Sequence, residues 1–167
     1  METATIISSI ALGVSALSTF FSIYFWRDAH RPVVTARIAV AMSGKLAAAL
    51  ILLIENNGNR PARDIKISAQ EKDLLAMLAP EQHGIIPQEI RDVFDRNTLI
   101  PVLKSAGKTS NAFGLVSTTG NSTWVSASKF KLPISISYRD FRSRNFSHIM
   151  NLRIAYDDAF AGASWSS

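Results

Sequence analysis

The stretch LPISISYRDFRSRNFSHIMNLRI, residues 132–154, carries the clearest fold signal in the chain. Apolar and polar side chains alternate on both sides of its centre, which is the period of a strand with one buried face. The polar segment between the two runs, residues 140–145, suits a turn. The stretch therefore predicts a β-hairpin. Its turn presents Arg139, Arg142 and Arg144 as a candidate basic contact surface.

Shorter runs with strand character precede the hairpin. Alternation predicts strands at 34–42 and 65–67, and strand character returns at 98–103 and 112–118. The apolar run 46–54 is nine residues long, which is too short to cross a bilayer and indicates a strand buried on both faces. Because turn residues separate these runs, the chain predicts an antiparallel β-sandwich.

The link between the second and third runs carries a resemblance. It reads ENNGNRPARDIKI, residues 55–67, in which Gly58 is free to take a positive φ and Pro61 fixes its own. The pattern resembles a connection common in bacterial immunoglobulin-like β-sandwich modules, where it joins two strands that pack across the sandwich. The resemblance covers residues 33–69 and implies architecture rather than activity, since folds of this class host many unrelated functions.

Two short helices are predicted between the strands. Residues 71–78 favour a helix that ends before Pro80. Residues 87–95 favour another, with Pro87 at its start and acidic residues in its first turn. Such insertions are unusual in a seven-stranded sandwich, and they would either cap one of its open ends or form a contact surface.

Outside the sandwich, the run ATIISSIALGVSALSTFFSIYFW, residues 4–26, predicts a transmembrane helix. It contains no charge and no proline over 23 positions, whereas a span needs about 20 apolar residues. Tyr24, Phe25 and Trp26 suit the headgroup level, and Arg27 ends the run. A cleaved signal peptide would have basic residues in front, a shorter apolar core and small residues at its end. We therefore expect a retained anchor.

Small residues recur along this helix in steps of three and four. They fall on one helix face, which allows a second helix to approach closely and form interhelical hydrogen bonds. We expect the partners to be membrane lipid and other membrane protein subunits, or a second copy of the chain through this helix. The helix-packing face consists of Ser8, Ala11, Ser15, Ser18 and Ser22.

The charge distribution bears on location. The net charge is +5 with a pI near 9.8, and there is no cysteine. Only Glu2 and the terminal amine precede the helix, while basic residues follow it, so the positive-inside rule predicts a single-pass protein of the inner (plasma) membrane with a cytoplasmic sandwich. No base-stacking or helix-turn-helix pattern supports nucleic acid as a partner. The basic residues after the helix are Arg27, Arg31, Arg37 and Lys45.

No sequence pattern points to chemistry. The histidines His30, His83 and His148 lie far apart and lack the spacing of metal ligands. No serine lies in a G-x-S-x-G motif, and the loop glycines are isolated rather than grouped into a phosphate-binding loop. We therefore expect no enzyme activity, no metal and no cofactor.

Together these patterns predict a mainly β protein in three segments. An anchor with its flank occupies 1–31, an immunoglobulin-like sandwich 32–156 and a flexible tail 157–167. The expected function is a non-enzymatic, single-pass interaction module, an accessory or structural subunit of a membrane complex. The alternative is a pilin-like subunit that polymerises through its N-terminal helix, although the processing site and long continuous helix of type IV pilins are missing.

Overall fold

The computed structural model describes residues 2–43, 47–95, 97–117, 120–126 and 128–154. The chain forms two compact units, Met1–Arg31 and Pro32–Ser167. The first unit consists of one helix, α1, Glu2–Ala29. Its segment Thr3–Arg27 is long and apolar enough to cross a membrane, and none of its most apolar part is buried. The predicted apolar N-terminal helix is confirmed.

The described residues of the second unit form two antiparallel sheets. One sheet has the strand order β1-β2-β5, and the other has the order β4-β3-β6-β7. The prediction of a mainly β chain with antiparallel strands is therefore confirmed. The strands are β1 Val34–Ser43, β2 Ala47–Asn56, β3 Ala62–Ala69, β4 Ile100–Leu103, β5 Lys108–Ser117, β6 Leu132–Arg139 and β7 Asn145–Leu152.

A single hydrophobic core lies between the two sheets. Alternate residues of each strand point to the same face, so every second side chain of β2 and β6 enters this core. Both sheets contribute to one contiguous cluster of buried side chains, which makes the unit a β-sandwich. Its largest fully buried members include Leu50, Leu52, Ile65, Phe113, Trp124, Ile134 and Ile136.

The strand order is immunoglobulin-like except at the fourth strand. A constant-type immunoglobulin sandwich pairs its strands as A-B-E-D and C-F-G. In chain order, β1-β2-β5 corresponds to A-B-E, and β3-β6-β7 corresponds to C-F-G. The fourth strand, β4, instead pairs with β3, through Ala62 with Leu103 and Ile65 with Ile100. It therefore lies in the sheet opposite to that of the constant-type order.

The two predicted helices are present between β3 and β4. They are α2, Glu71–Met77, and α3, Gln88–Phe94, with a short 3-10 turn at Pro80–Gln82 between them. The inner side of α3 is buried, and its Phe94 ring meets the core ring of Phe113 edge to face at 6.1 Å. Because α3 contacts both β3 and β5, which belong to different sheets, it covers an opening of the sandwich.

Several details of the strands differ from the sequence prediction. The second strand is not buried on both faces: its inner side chains are buried, but Ala47 and Ala49 are exposed and Ile51 and Leu53 only half-buried. The reason is that an antiparallel sheet can leave its outer face to solvent. β4 starts two residues later and β5 four residues earlier than predicted. The predicted tail, 157–167, and Lys45 lie outside the described residues.

Candidate functional site

Three loops and the start of the sandwich meet at one end of the molecule's second unit. β1, β3, β5 and β7 begin at this end, and β2, β4 and β6 end there, because neighbouring strands are antiparallel. The connecting segments are short and fully described. We call residues 32–33, 57–61, 104–107 and 140–144 the basic loop end.

Asn56 fixes much of this end from within. Its side chain is fully buried, and a buried amide needs partners for both its oxygen and its nitrogen. The oxygen accepts two backbone N–H groups, and the nitrogen donates to three backbone carbonyls, so one side chain joins three segments. The partners are the Val33 amide (3.2 Å), the Gly58 amide (3.0 Å), and the carbonyls of Arg60 (2.7 Å), Leu103 (3.1 Å) and Lys104 (3.1 Å).

Asp140 shapes the turn between β6 and β7. One oxygen of its buried carboxylate accepts the backbone N–H groups of Arg142 at 2.8 Å and Arg144 at 2.9 Å. These bonds hold the turn while the two arginine side chains remain exposed. Tyr138, just before the turn, donates its hydroxyl to the Pro32 carbonyl at 3.3 Å. The turn is thereby tied to the first residue of the sandwich.

The structure separates the three arginines that the sequence grouped. Arg139 belongs to the end of β6, where its guanidinium lies 3.8 Å from the Asp64 carboxylate and donates to the Asn145 side chain at 2.9 Å. Arg142 and Arg144 belong to the turn itself. Arg139 is thus held beside a carboxylate, and the turn retains two of the three predicted arginines.

An exposed aromatic ring, Phe141, lies among the arginines of the turn. Its side chain is 47% exposed, and the guanidinium carbons of Arg60 and Arg142 lie 4.8 Å and 5.4 Å from the ring centre. The guanidinium carbon of Arg144 lies 6.0 Å from the ring centre of Phe146. Such cation–π contacts orient a guanidinium over a ring face. The sequence alone does not indicate that Arg60 belongs here, because about 80 residues separate it from Phe141.

The basic loop end has a positive charge balance. Its loops contain four basic side chains and one acidic one, Asp140, whose carboxylate already binds backbone N–H groups. A surface with this balance attracts anions electrostatically. The basic residues are Arg60, Lys104, Arg142 and Arg144.

The predicted helix-packing face forms one side of α1. Ser8, Ala11, Ser15, Ser18 and Ser22 are exposed there, and at about 100° per residue they fall within about 80° of arc. The hydroxyl of Ser8 donates to the Ala4 carbonyl and that of Ser15 to the Ala11 carbonyl, both at 2.9 Å. A hydroxyl satisfied within its own helix can lie in hydrocarbon without an unpaired donor.

The described residues bring together no group of three or more His, Asp or Glu side chains that could hold a metal ion. His30 stacks on Trp26 with ring centres 4.7 Å apart, and His148 meets Tyr138 edge to face at 6.1 Å. His83 ends the 3-10 turn with a positive φ of 49°. The three histidines therefore lie in three separate surroundings rather than in a shared site.

Two grooves cross the surface of the second sheet. One, of about 520 Å³, lies over the ends of β6 and β7 and is lined by Lys66, Ser137 and Arg139, among others. The other, of about 580 Å³, runs beside α2 and is lined by Glu71, Asp73 and Ile149, among others. Among the described residues, neither lining includes a histidine.

Comparison with known proteins gives one match. A family model described as a domain of unknown function, DUF8453, matches residues 3–157, which include α1 from its second residue onward and the seven described strands of the sandwich. Comparisons with curated proteins and with solved structures gave no significant match. Since the family model covers most of its length, the chain belongs to the DUF8453 family.

Proposed function

We propose that the protein is a non-enzymatic interaction module held in the membrane by one helix, and that it serves as an accessory or structural subunit of a membrane protein complex. The observation that carries this proposal is the exposed apolar surface of α1. Leu12 is 73% exposed and Phe20 64% exposed, and the span holds no charged residue between Thr3 and Trp26. In water such surface costs about 25 cal/mol per Å², a cost that a bilayer removes.

The family match supports a retained helix. It begins at residue 3 and continues through α1 into the sandwich, so the helix belongs to the common pattern of the family. The order of charges around α1 favours a cytoplasmic sandwich and the inner membrane, as the positive-inside rule predicts. The immunoglobulin-like strand order supports a role in presenting surfaces to partners, since such sandwiches place loops together at their ends.

Extraction and partner analysis test this proposal. The chain should resist alkaline carbonate extraction, dissolve in mild detergent and elute in a discrete complex with other membrane proteins. In the variant L12K/L17K, each buried charge costs about 3 kcal/mol at the centre of a span, so much of the protein should move to the soluble fraction. The matched variant L12I/L17I keeps the apolar span and should stay in the membrane.

Other outcomes separate the alternatives. Wild-type protein that is released by carbonate would contradict the anchor. Filaments instead of a discrete complex would favour the pilin-like subunit. That alternative has less support, because α1 ends at Ala29 and Pro32 follows shortly after, whereas type IV pilins continue as one long helix.

A further inference from the structure

We propose that the basic loop end binds the anionic phosphate headgroups of the membrane in which α1 is anchored. This inference rests on the proposed membrane anchoring. It adds a lipid-binding site on the sandwich, formed by the side chains of Arg60, Phe141, Arg142 and Arg144, and assigns its ligand.

The connection between α1 and the sandwich is short. α1 ends at Ala29 and the second unit begins at Pro32, so two residues lie between them, and the three Cα–Cα steps span at most about 11 Å. Pro32 and Val33 are bonded into the basic loop end by Tyr138 and Asn56. The first residues of the sandwich after the anchor in the chain therefore belong to the basic loop end.

The side chains at this end match the chemistry of a phosphate headgroup. The N–H groups of a guanidinium point outward in its plane. Stacking on an aromatic ring uses the face of the guanidinium, and its edge can bind a phosphate through two parallel hydrogen bonds. Arg60 and Arg142 both lie over Phe141, whose ring is exposed and suits the boundary between headgroups and acyl chains. The ring would insert at this boundary with the two guanidinium groups at phosphate level.

The charge balance favours lipid over an acidic protein partner. Cytoplasmic leaflets carry anionic lipid, which attracts basic side chains next to a transmembrane helix. The only acidic side chain in these loops, Asp140, binds the N–H groups of its own turn and does not oppose the ligand from an exposed position.

A chain without cysteine allows a direct test in the full-length protein. One variant, S143C, carries a fluorescent probe in the exposed turn. The control, S128C, carries the same probe in the exposed segment before β6, about 25 Å away along that strand. Both are reconstituted into lipid nanodiscs that contain a headgroup-level spin-labelled quencher, with either neutral lipid alone or added phosphatidylglycerol. We expect strong, salt-sensitive quenching at residue 143 in anionic discs and little at residue 128.

Substitutions test which side chains are responsible. The variant R142S/R144S keeps the backbone bonds of the turn and should weaken headgroup binding about fivefold per charge removed. Adding R60S should weaken it further. A matched variant, R91S/K129S/K131S, removes three exposed charges outside the basic loop end and should leave the quenching at residue 143 unchanged.

The outcomes distinguish this inference from the proposed function. Protein that stays outside the nanodiscs would overturn the anchor and the lipid site together. Protein that is incorporated but shows equal quenching at residues 143 and 128 would overturn the lipid site alone. Quenching at residue 143 that is the same in neutral and anionic discs would exclude recognition of the charged headgroup. Quenching in anionic discs that an added acidic peptide abolishes would favour a protein partner over lipid.

Discussion

At the scale of single residues, Asn56 is a polar group at the centre of the loops. It lies at the end of a long apolar strand, fully buried, and makes hydrogen bonds to three segments that are distant in sequence. Burial of a polar group costs free energy when it loses its hydrogen bonds to water without replacement. Asn56 and its partners replace those bonds with bonds to each other, so the cost appears only when a partner is missing. Asn56 therefore both stabilises the folded sandwich and holds the loops of the basic loop end in position.

We predict that Asn56→Ala lowers the free energy of unfolding by about 3 kcal/mol, since several buried backbone groups lose their partner. Asn56→Asp should be at least as destabilising at neutral pH, because a carboxylate would face three carbonyl oxygens. Its effect should shrink in acid, where the protonated carboxyl regains one donor. Urea unfolding of the detergent-solubilised protein, at neutral and at acidic pH, measures the stability of both variants. Equal stability of Asn56→Asp and the exposed control Asn59→Asp would contradict this role.

Gly114 is required by a bulge in β5. The pairing of β2 with β5 shifts between Ala49 and Ile51, and Gly114 takes a φ of +87° at this shift. A Cβ there would lie 2.7 Å from the Cβ of Thr123. Thr123 also bonds to Leu115 through its backbone and side chain, so it cannot easily move.

We predict that Gly114→Ala lowers the free energy of unfolding by about 3 kcal/mol or more, from backbone strain and the clash together. The matched control is Gly84→Ala. Gly84 also has a positive φ, of +72°, but an added Cβ would meet no atom within 4 Å, so only the strain of about 1 kcal/mol remains. Thermal unfolding of both variants separates the cost of backbone strain from the cost of the clash with Thr123. Equal losses would show that the contact with Thr123 has no effect.

At the scale of elements, the segment after β5 completes the core. The Trp124 ring stacks on the Phe113 ring with centres 4.8 Å apart, and its indole N–H donates to the Phe113 carbonyl. Phe130 meets both rings edge to face. The Trp124 side chain, which fills this part of the sandwich, thus comes from a loop rather than a strand. Strand periodicity cannot indicate that a loop residue will be buried.

The small-residue face of α1 also belongs to this scale. We predict that S15L/S18L weakens assembly while membrane insertion is unchanged, because the span becomes more apolar but close approach of a second helix is lost. The control S9L/A16L places leucines on another side of the helix, about 120° to 140° from the centre of the face. Size-exclusion chromatography in detergent measures the complex. An unchanged complex size in S15L/S18L would remove this face as an interface.

At the scale of the whole molecule, the chain joins an apolar helix to a sandwich with a basic end, and the order of charges leads us to propose a cytoplasmic sandwich. We predict that protease added outside intact cells leaves the sandwich undigested, while protease added to inverted membrane vesicles digests it. Mass spectrometry of the membrane-extracted protein should detect the N-terminal peptide, as a retained helix requires. Digestion in intact cells would reverse the predicted topology.

Features that depend on local periodicity can be predicted from the order of residues alone. Alternation predicted the hairpin of β6 and β7, and Pro87 marked the start of α3, since both patterns act within one element. The length of the uncharged run predicted α1, because hydrocarbon thickness sets the length of a span. The basic turn was also predicted, since its arginines are neighbours in the chain.

Features that depend on pairing between distant segments emerge from the folded structure. It placed β4 beside β3, left the outer face of β2 partly exposed, and buried Asn56 among three loops. It also brought Arg60 to Phe141, replacing Arg139 in the basic cluster. The physical reason is that strand periodicity specifies which face of a strand is apolar but not which strand lies beside it, so contacts between loops arise only once the sheets have paired.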